Sequence, residues 1–253
     1  MDNNDKPVGR ILSRREVLAL LGAVGVVAAA GRFPAQSLAQ AARGTAPGGA
    51  GTEAPACVVR PEQMEGPYFN DERLERSDIR VEPTTGEVKG GIPLALTFRI
   101  LQIGDSCTPL PEATVDIWHC DAQGDYSAFE DTTQGFDTVG QSWLRGYQVT
   151  DENGEASFTT IYPGWYPGRA VHIHFKIRAT GADASYEFTS QLYFDDDLSD
   201  RVFQEEPYVR GEAREVRNTN DFIFADGGEQ LVLALTESGA GYAATFDIGL
   251  DLT

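Results

Sequence analysis

Two of the chain's three histidines lie two positions apart, in a segment whose pattern predicts a β-strand. From Ala170 to Ala179 apolar residues alternate with polar ones, and His172 and His174 occupy neighbouring polar positions. Because every second side chain of a strand points to the same face, the two histidines share a face, with Cα atoms about 7 Å apart. Two imidazoles at that spacing can bind one metal ion. The alternative is a polar strand face with two solvated histidines.

Two tyrosines are predicted to lie on loops near the ends of strands. Tyr126 follows the predicted strand Ala113–Cys120, and Tyr166 lies between two Pro-Gly turns, six residues before His172. Both phenols could therefore meet the histidines at one end of the fold. Phenolate and imidazole together favour an oxidised, hard metal ion, above all Fe(III), because a bound cation can remove a phenol proton whose ordinary pKa is about 10. Zinc prefers histidine, cysteine and carboxylates, and calcium prefers carboxylates and carbonyls.

Short strands separated by turn signals are predicted to position these residues. The sequence contains no long segment of helical periodicity, which predicts an all-β protein, an antiparallel β-sandwich, with an irregular N-terminal arm from Cys57 to Lys89. Asn153-Gly154 suits a tight hairpin, and residues 205–217 could hold a short helix that Pro207 and Gly211 weaken. The predicted strands are Leu94–Leu101, Ala113–Cys120, Leu144–Thr150, Glu155–Ile161, Ala170–Ala179, Tyr186–Phe194, Gln230–Thr236 and Tyr242–Leu250.

The N-terminus predicts an export signal. Residues 13–18, Ser-Arg-Arg-Glu-Val-Leu, resemble the twin-arginine signal, and an apolar run of 14 residues extends over 17–30. As a helix this run would span about 21 Å, which is short of the ~30 Å hydrocarbon core of a bilayer. We therefore predict a signal peptide over residues 1–39, no stable membrane anchor, and a disordered linker over residues 40–55. Residues 56–253 are predicted to form one folded domain that is secreted or lies in the periplasm or cell envelope.

Composition limits the partners and the redox chemistry. The formal net charge of −19 argues against binding to nucleic acid and to anionic membrane surfaces. Cys57, Cys107 and Cys120 allow three single disulfide pairings, each of which leaves one thiol free, and the sequence does not choose among them. Oligomeric state is likewise not specified by these patterns.

Two segments together resemble the intradiol ring-cleavage dioxygenases, a family of non-haem Fe(III) enzymes. They are WHCDAQGDY at residues 118–126 and RGYQVTDENGEASFTTIYPGWYPGRAVHIHF at residues 145–175, and the resemblance covers roughly residues 57–194. The chain is most similar to an exported branch of the family, which also has an EGPY-like arm, here at residues 65–68. The resemblance implies that residues 56–253 are a catalytic domain that opens catechol-type rings with O2 between the two hydroxyl-bearing carbons, giving muconate-type products.

The resemblance also implies an iron site with four protein ligands. Two ligands would be equatorial, two would be axial, and hydroxide would complete the coordination. The equatorial ligands would be Tyr126 and His172, and the axial ligands would be Tyr166 and His174.

Further roles follow from the same resemblance. Tyr166 would leave the metal and accept the second catechol proton, and Arg169 would stabilise negative charge on the substrate. Gln191 falls where the family has a glutamine that lines the pocket, and the arm around Tyr68 is expected to shape that pocket. His119 matches no ligand position, and we expect a strand histidine held by a hydrogen bond.

Two alternatives come from other functional classes. A non-catalytic transthyretin-like or carbohydrate-binding sandwich could use the same architecture, although here all four ligand positions are intact. A zinc hydrolase would need a carboxylate beside the histidines, and none lies at clear ligand spacing. Colour distinguishes the three classes, because tyrosinate–Fe(III) proteins absorb visible light by charge transfer whereas zinc proteins and plain sandwiches do not.

Overall fold

Two β-sheets packed face to face hold most of the regular structure. The computed structural model describes residues 57–104, 106–181 and 185–252, so the predicted signal peptide (1–39) and linker (40–55) lie outside the described residues. Helix α1, Asp196–Val202, follows the ninth strand. The strands are β1 (Pro93–Gln102), β2 (Thr108–Pro109), β3 (Thr114–Trp118), β4 (Glu130–Asp131), β5 (Phe136–Asp137), β6 (Arg145–Val149), β7 (Glu155–Ile161), β8 (His172–Thr180), β9 (Ser185–Tyr193), β10 (Thr236–Ser238) and β11 (Gly241–Leu250).

The pairing of the strands confirms the predicted β-sandwich. In the first sheet β10, β11 and β1 are neighbours, and the other edge of β1 pairs with both β7 and β2. The second sheet has the order β6–β3–β8–β9, and β4 pairs with β5 in a small ribbon. One pairing differs from the antiparallel prediction, because β1 and β11 run parallel. These two strands are far apart in sequence, so no hairpin constrains their relative direction.

Alternating apolar residues build the core between the sheets. On β1 the side chains of Leu94, Leu96, Phe98 and Ile100 are fully buried. Phe98 packs against Phe175 of β8 with ring centroids 5.2 Å apart. Each such side chain contributes about 1.5–3 kcal/mol by leaving water. The apolar face of β8 therefore points to the other sheet. The opposite face of β8, which carries the histidines, points outward.

An irregular arm lies over the domain, as predicted, and it covers the outward face of the second sheet. Residues 57–89 contact the sheets through isolated bridges, such as the one between Glu75 and Tyr147. A disulfide joins Cys57 to Cys107, which selects one of the three possible pairings, and Cys120 is a buried free thiol.

The tight turn at Asn153-Gly154 is present, but it does not close a hairpin. Residues 151–154 form the turn, with Asp151 and Glu155 joined by a backbone hydrogen bond of 3.0 Å. The flanking strands then diverge, because β6 pairs with β3 whereas β7 pairs with β1 of the other sheet. The turn therefore connects the two sheets, and the hairpin prediction was wrong.

Two further local predictions differ from the structure. Residues 205–217 hold no helix, and helix α1 instead begins after Asp195, whose side chain caps it by accepting from the backbone N–H of Leu198 at 2.8 Å. Of the predicted strand Gln230–Thr236, only Thr236 lies in a strand, at the start of β10, and Val232 makes an isolated bridge to β9. The side chains of this segment do alternate between more and less buried. Such alternation does not require hydrogen-bonded pairing with a neighbouring strand. Across the described ranges, no helix is long and apolar enough to cross a bilayer.

Candidate metal centre

Four side chains from three segments converge on the outward face of the second sheet. His172 and His174 lie at the start of β8, Tyr126 lies in the loop after β3, and Tyr166 lies in the loop before β8. His172 Nε2 is 3.1 Å from the Tyr166 hydroxyl, 3.4 Å from the Tyr126 hydroxyl and 3.0 Å from His174 Nε2. All four residues are buried, and the two histidines are 2% and 1% exposed. The solvated strand face, the alternative for these histidines, is therefore excluded.

The donor chemistry of this cluster fits a metal ion. His172 Nδ1 donates to the carbonyl of Ala170 at 2.6 Å, which leaves Nε2 with a single in-plane lone pair. That lone pair can accept one well-aligned hydrogen bond, yet three polar atoms approach it within 3.4 Å. Ligands bound about 2.0–2.2 Å from one ion stand roughly 3 Å apart, so a shared cation would satisfy all four donors together.

Burial keeps all four donors neutral when no cation is bound. It lowers the pKa of His172 and of His174 well below the ordinary value, with Arg169 adding to the effect in both. It also raises the pKa of the Tyr126 and Tyr166 phenols, and the positive charge of Arg169 opposes that rise. The cluster therefore offers two neutral imidazoles and two phenols whose protons a trivalent cation could displace.

Two glycines allow the tyrosine loops to meet. Gly124 has a φ of +96°, and a Cβ atom there would lie 2.4 Å from the carbonyl oxygen of Trp165. A Cβ atom on Gly164 would lie 2.4 Å from the carbonyl oxygen of Asp121, to which the Gly164 N–H donates at 3.0 Å. Only glycine fits such backbone contact, which explains why a glycine lies two residues before each of the two tyrosines.

Aromatic rings from the arm and from β3 pack on the donors. Tyr68 stacks on Tyr126 with centroids 4.3 Å apart and an interplanar angle of 17°. Trp118, opposite His174 in the strand register, stacks on that imidazole at 5.0 Å and 6°. Each stack adds about 0.5–1.5 kcal/mol beyond the burial of its area. The arm around Tyr68 therefore closes over the site, while the neighbouring strand fixes one imidazole plane.

Arg169 is held beside the donors by a buried carboxylate that the sequence pattern did not reveal. Its Nε donates to Asp221 Oδ2 at 2.8 Å, and the same oxygen accepts from the N–H of Ala170 at 2.7 Å. Burial alone would raise the pKa of Asp221, but the bonds from Arg169 and from the backbone lower it. Burial would likewise lower the pKa of Arg169, yet Tyr166 and Asp221 raise it. The guanidinium is therefore a fixed positive charge next to the two phenols.

Gln191, which was predicted to line the pocket, makes a direct hydrogen bond with Arg169. It lies on β9 in register with His174, and its Oε1 accepts from Arg169 Nη2 at 2.6 Å. Its Nε2 donates to the carbonyl of Met64 in the arm at 2.9 Å, and the Tyr193 hydroxyl donates to its Oε1 at 3.2 Å. Because these bonds occupy both ends of the amide, Gln191 holds Arg169 and the arm in place.

His119 is held by hydrogen bonds to groups other than the four donors, as expected. It is fully buried after β3, with Nε2 2.7 Å from Thr160 Oγ1 and Nδ1 2.8 Å from the carbonyl of Cys120. Burial lowers its pKa to about 4, and the contact with Cys120 only partly opposes that shift.

The lowered pKa of His119 predicts a pH-dependent stability. Between pH 6.5 and about 4 the unfolded chain binds a proton at this site that the folded chain does not, so the free energy of unfolding falls as pH falls through that window. The loss is about 3 kcal/mol. Urea titrations of metal-free protein at pH 7 and pH 4 should therefore give a larger loss of stability for wild type than for His119→Gln. Equal losses in the two proteins would contradict the prediction.

Comparisons with known proteins find relatives over most of the chain. A sequence profile of the family described as Dioxygenase matches residues 64–251. The solved intradiol ring-cleavage dioxygenase from Tetranychus urticae superposes with a TM-score of 0.66 at 32% identity, over 77% of this chain and 95% of that one. The protocatechuate 3,4-dioxygenase beta chain of Burkholderia cepacia is 31% identical over 179 residues, which are 66% of this chain and 69% of the relative.

Catechol-type relatives match over a shorter range. The chlorocatechol 1,2-dioxygenase of Cupriavidus pinatubonensis is 26% identical over 145 residues, so the chain spans 53% of the length of that relative. The family profile, by contrast, extends from the arm to the last strand and covers most of the chain. Both the profile and the sandwich confirm the resemblance found in the sequence, and the chain belongs to the intradiol ring-cleavage dioxygenase family.

Proposed function

We propose that the protein is a non-haem Fe(III) dioxygenase that cleaves catechol-type rings with O2 between the two hydroxyl-bearing carbons, giving muconate-type products. The observation that supports it most is the convergence of two phenols and a second imidazole within 3.4 Å of one imidazole nitrogen, His172 Nε2. Membership of the family supports the same reaction class. The proposed iron ligands are Tyr126, Tyr166, His172 and His174.

The chain's own residues have distinct tasks in this proposal. Bound Fe(III) would supply the acidity that turns a catechol into a catecholate and the redox coupling to O2. Arg169 uses Nε and Nη2 for its protein contacts, and among the described residues its Nη1 has no acceptor. That N–H group can therefore bind the anionic substrate oxygen, with its direction fixed by Asp221. Tyr166, as a phenolate, would accept the second catechol proton.

A non-catalytic sandwich is the second candidate, and the buried donors argue against it. A structural role would leave Tyr126, Tyr166 and His174 competing for the one lone pair of His172 Nε2, and among the described residues Nδ1 of His174 has no partner, at a cost of about 1–3 kcal/mol for each unsatisfied group. A zinc hydrolase finds no support either. Within the described ranges, no group of three or more His, Cys, Asp and Glu side chains gathers at one point.

Iron content and colour test the proposal. We expect the purified wild-type protein to contain iron and to absorb visible light. Either His172→Ala or His174→Ala should lose most of the iron. Removing a ligand should weaken iron binding by more than about 100-fold, because losing even a hydrogen-bond partner behind a ligand costs about 10–100-fold. Metal analysis, visible spectra and oxygen uptake with a panel of catechols measure these effects. His119→Gln is the matched control and should keep its iron; full iron in both β8 variants would overturn the ligand assignment.

We also propose export by the twin-arginine route. The twin arginines and the short apolar run support it, and so does the Cys57–Cys107 disulfide, since disulfides persist mainly outside the reducing cytoplasm.

The export proposal predicts the outcome of a conservative double substitution. Arg14→Lys with Arg15→Lys keeps both positive charges but removes the arginine pair, so the protein should remain in the cytoplasm. Fractionation of cells followed by immunoblotting measures this. If the double variant still reached the outside of the cytoplasmic membrane, the twin-arginine assignment would be wrong.

A further inference from the structure

Arg145 is a buried cation without an ion-pair partner. It begins β6, is 3% exposed, and donates to three neutral acceptors. They are Ser127 Oγ at 2.7 Å, the carbonyl of Ser127 at 2.5 Å and the carbonyl of Tyr68 at 3.1 Å. Within the described ranges, no carboxylate lies at ion-pair distance from its guanidinium. A buried charge that lacks a counter-charge is costly, so its position calls for an explanation.

A second buried arginine gives the usual arrangement for comparison. The side chain of Arg214 is also 3% exposed, but it forms ion pairs with Asp196 and Asp200 of helix α1 at 2.5 and 2.9 Å. Burial lowers the pKa of Arg145 to about 10, and the groups that oppose this shift are Glu72 and Tyr126. Arg145 therefore stays charged at neutral pH. Glu72 has the larger of the two opposing effects although it lies beyond ion-pair distance, and the fully buried Tyr126 has the next.

The contacts of Arg145 surround Tyr126 from two sides. Ser127 is the residue that follows Tyr126, and Arg145 holds both its hydroxyl and its carbonyl. Tyr68 is the residue whose ring stacks on Tyr126 at 4.3 Å, and Arg145 holds its carbonyl. One guanidinium thus fixes the backbone of the phenol and the ring that covers it. Arg169, in contrast, is paired with Asp221, and its charge acts on both phenols.

We propose that Arg145 is a positioning residue for Tyr126, which fixes its ring and supplies the buried positive charge that stabilises its phenolate when a metal ion replaces the phenol proton. This inference rests on the proposed function, because it needs a bound phenolate. The phenolate is the counter-charge that Arg145 lacks in the metal-free arrangement. The two buried arginines of the site then have separate tasks: Arg145 supports a ligand that stays, and Arg169 supports the substrate.

The test measures the charge-transfer band of Tyr126 alone. In a Tyr166→Phe background, Tyr126 is the only tyrosine left among the four donors, so the visible band of the iron-loaded protein reports on its phenolate. Arg145→Gln keeps a hydrogen-bonding head but removes the charge. We expect its band to move to longer wavelength, because phenolate electrons without a nearby cation lie higher in energy. Iron affinity should fall by about 10–100-fold. Arg145→Lys keeps the charge and should restore the band position even if the unfolding temperature falls.

The matched control is Arg214→Gln, which removes a buried arginine next to helix α1. It should lower the unfolding temperature and leave the band in place, whereas a shift that matched the Arg145→Gln shift would overturn the inference. An iron-loaded Arg145→Gln protein with an unmoved band would also overturn it. If Arg145→Gln does not fold, Arg145→Lys decides: the parental band supports the inference, and a displaced band contradicts it. A parent protein with iron but no visible band would overturn the proposed function itself, and a coloured parent with an unmoved band would overturn only the role of Arg145.

Discussion

Tyr166→Phe is expected to keep its iron and lose most of its turnover. The substitution removes one oxygen, so three protein ligands remain and water can fill the gap. Turnover should fall by about 10²-fold or more, because no displaced phenolate is left to take the second catechol proton. Tyr166 suits this role because it lies between two Pro-Gly turns and is 9% exposed. Iron analysis together with oxygen uptake in the presence of a catechol measures both parts of the expectation.

Tyr126→Phe is the matched variant, and we expect a different result from it. Tyr126 is fully buried, and Tyr68 stacks on its ring. Moving the Tyr126 side chain should therefore be costly, so its phenolate should remain bound in the substrate complex. Under nitrogen, the spectrum of the catechol complex should change more in Tyr126→Phe than in Tyr166→Phe. The opposite order would mean that the two tyrosines exchange roles.

Arg169→Ala should retain iron but lose turnover by about 10²-fold or more, which is the effect of removing one preorganised charge-stabilising group. The substitution also leaves the buried Asp221 carboxylate without its cation, so we expect a lower unfolding temperature. Arg178→Ala, at the other end of β8, is a suitable control because that arginine pairs with Asp116 and is 32% exposed. Arg178→Ala should keep its turnover. Unchanged turnover in iron-loaded Arg169→Ala would refute the catalytic role of Arg169.

Local patterns were sufficient to predict the framework of the site. Alternation along β8 placed His172 and His174 on one face, because a strand has a side-chain period of two. Glycine and proline marked the loops that carry Tyr126 and Tyr166, because those turns need a residue without a Cβ atom. Such signals act over a few residues, and the sequence shows them directly.

The groups that support the site could not be predicted in the same way. Asp221 lies 52 residues after Arg169, and Tyr68 lies 77 residues before Arg145. Contacts over such separations depend on how the arm and the loops fold back over the sheet, and no local pattern records them. The same limit explains Gln230–Thr236, which the sequence predicted as a strand although only Thr236 lies in one and an isolated bridge joins Val232 to β9.

The disulfide between Cys57 and Cys107 has a consequence for the order of maturation. Cytoplasmic thiols stay reduced, and the twin-arginine route carries proteins that are already folded. If the chain is exported in this way, the arm must first settle over the four donors through contacts such as the bond from Arg145 to the Tyr68 carbonyl. The covalent link would then form later, in another compartment, around a centre that is already assembled. We therefore expect the metal ion to bind in the cytoplasm. After export, the disulfide should slow the loss of that ion.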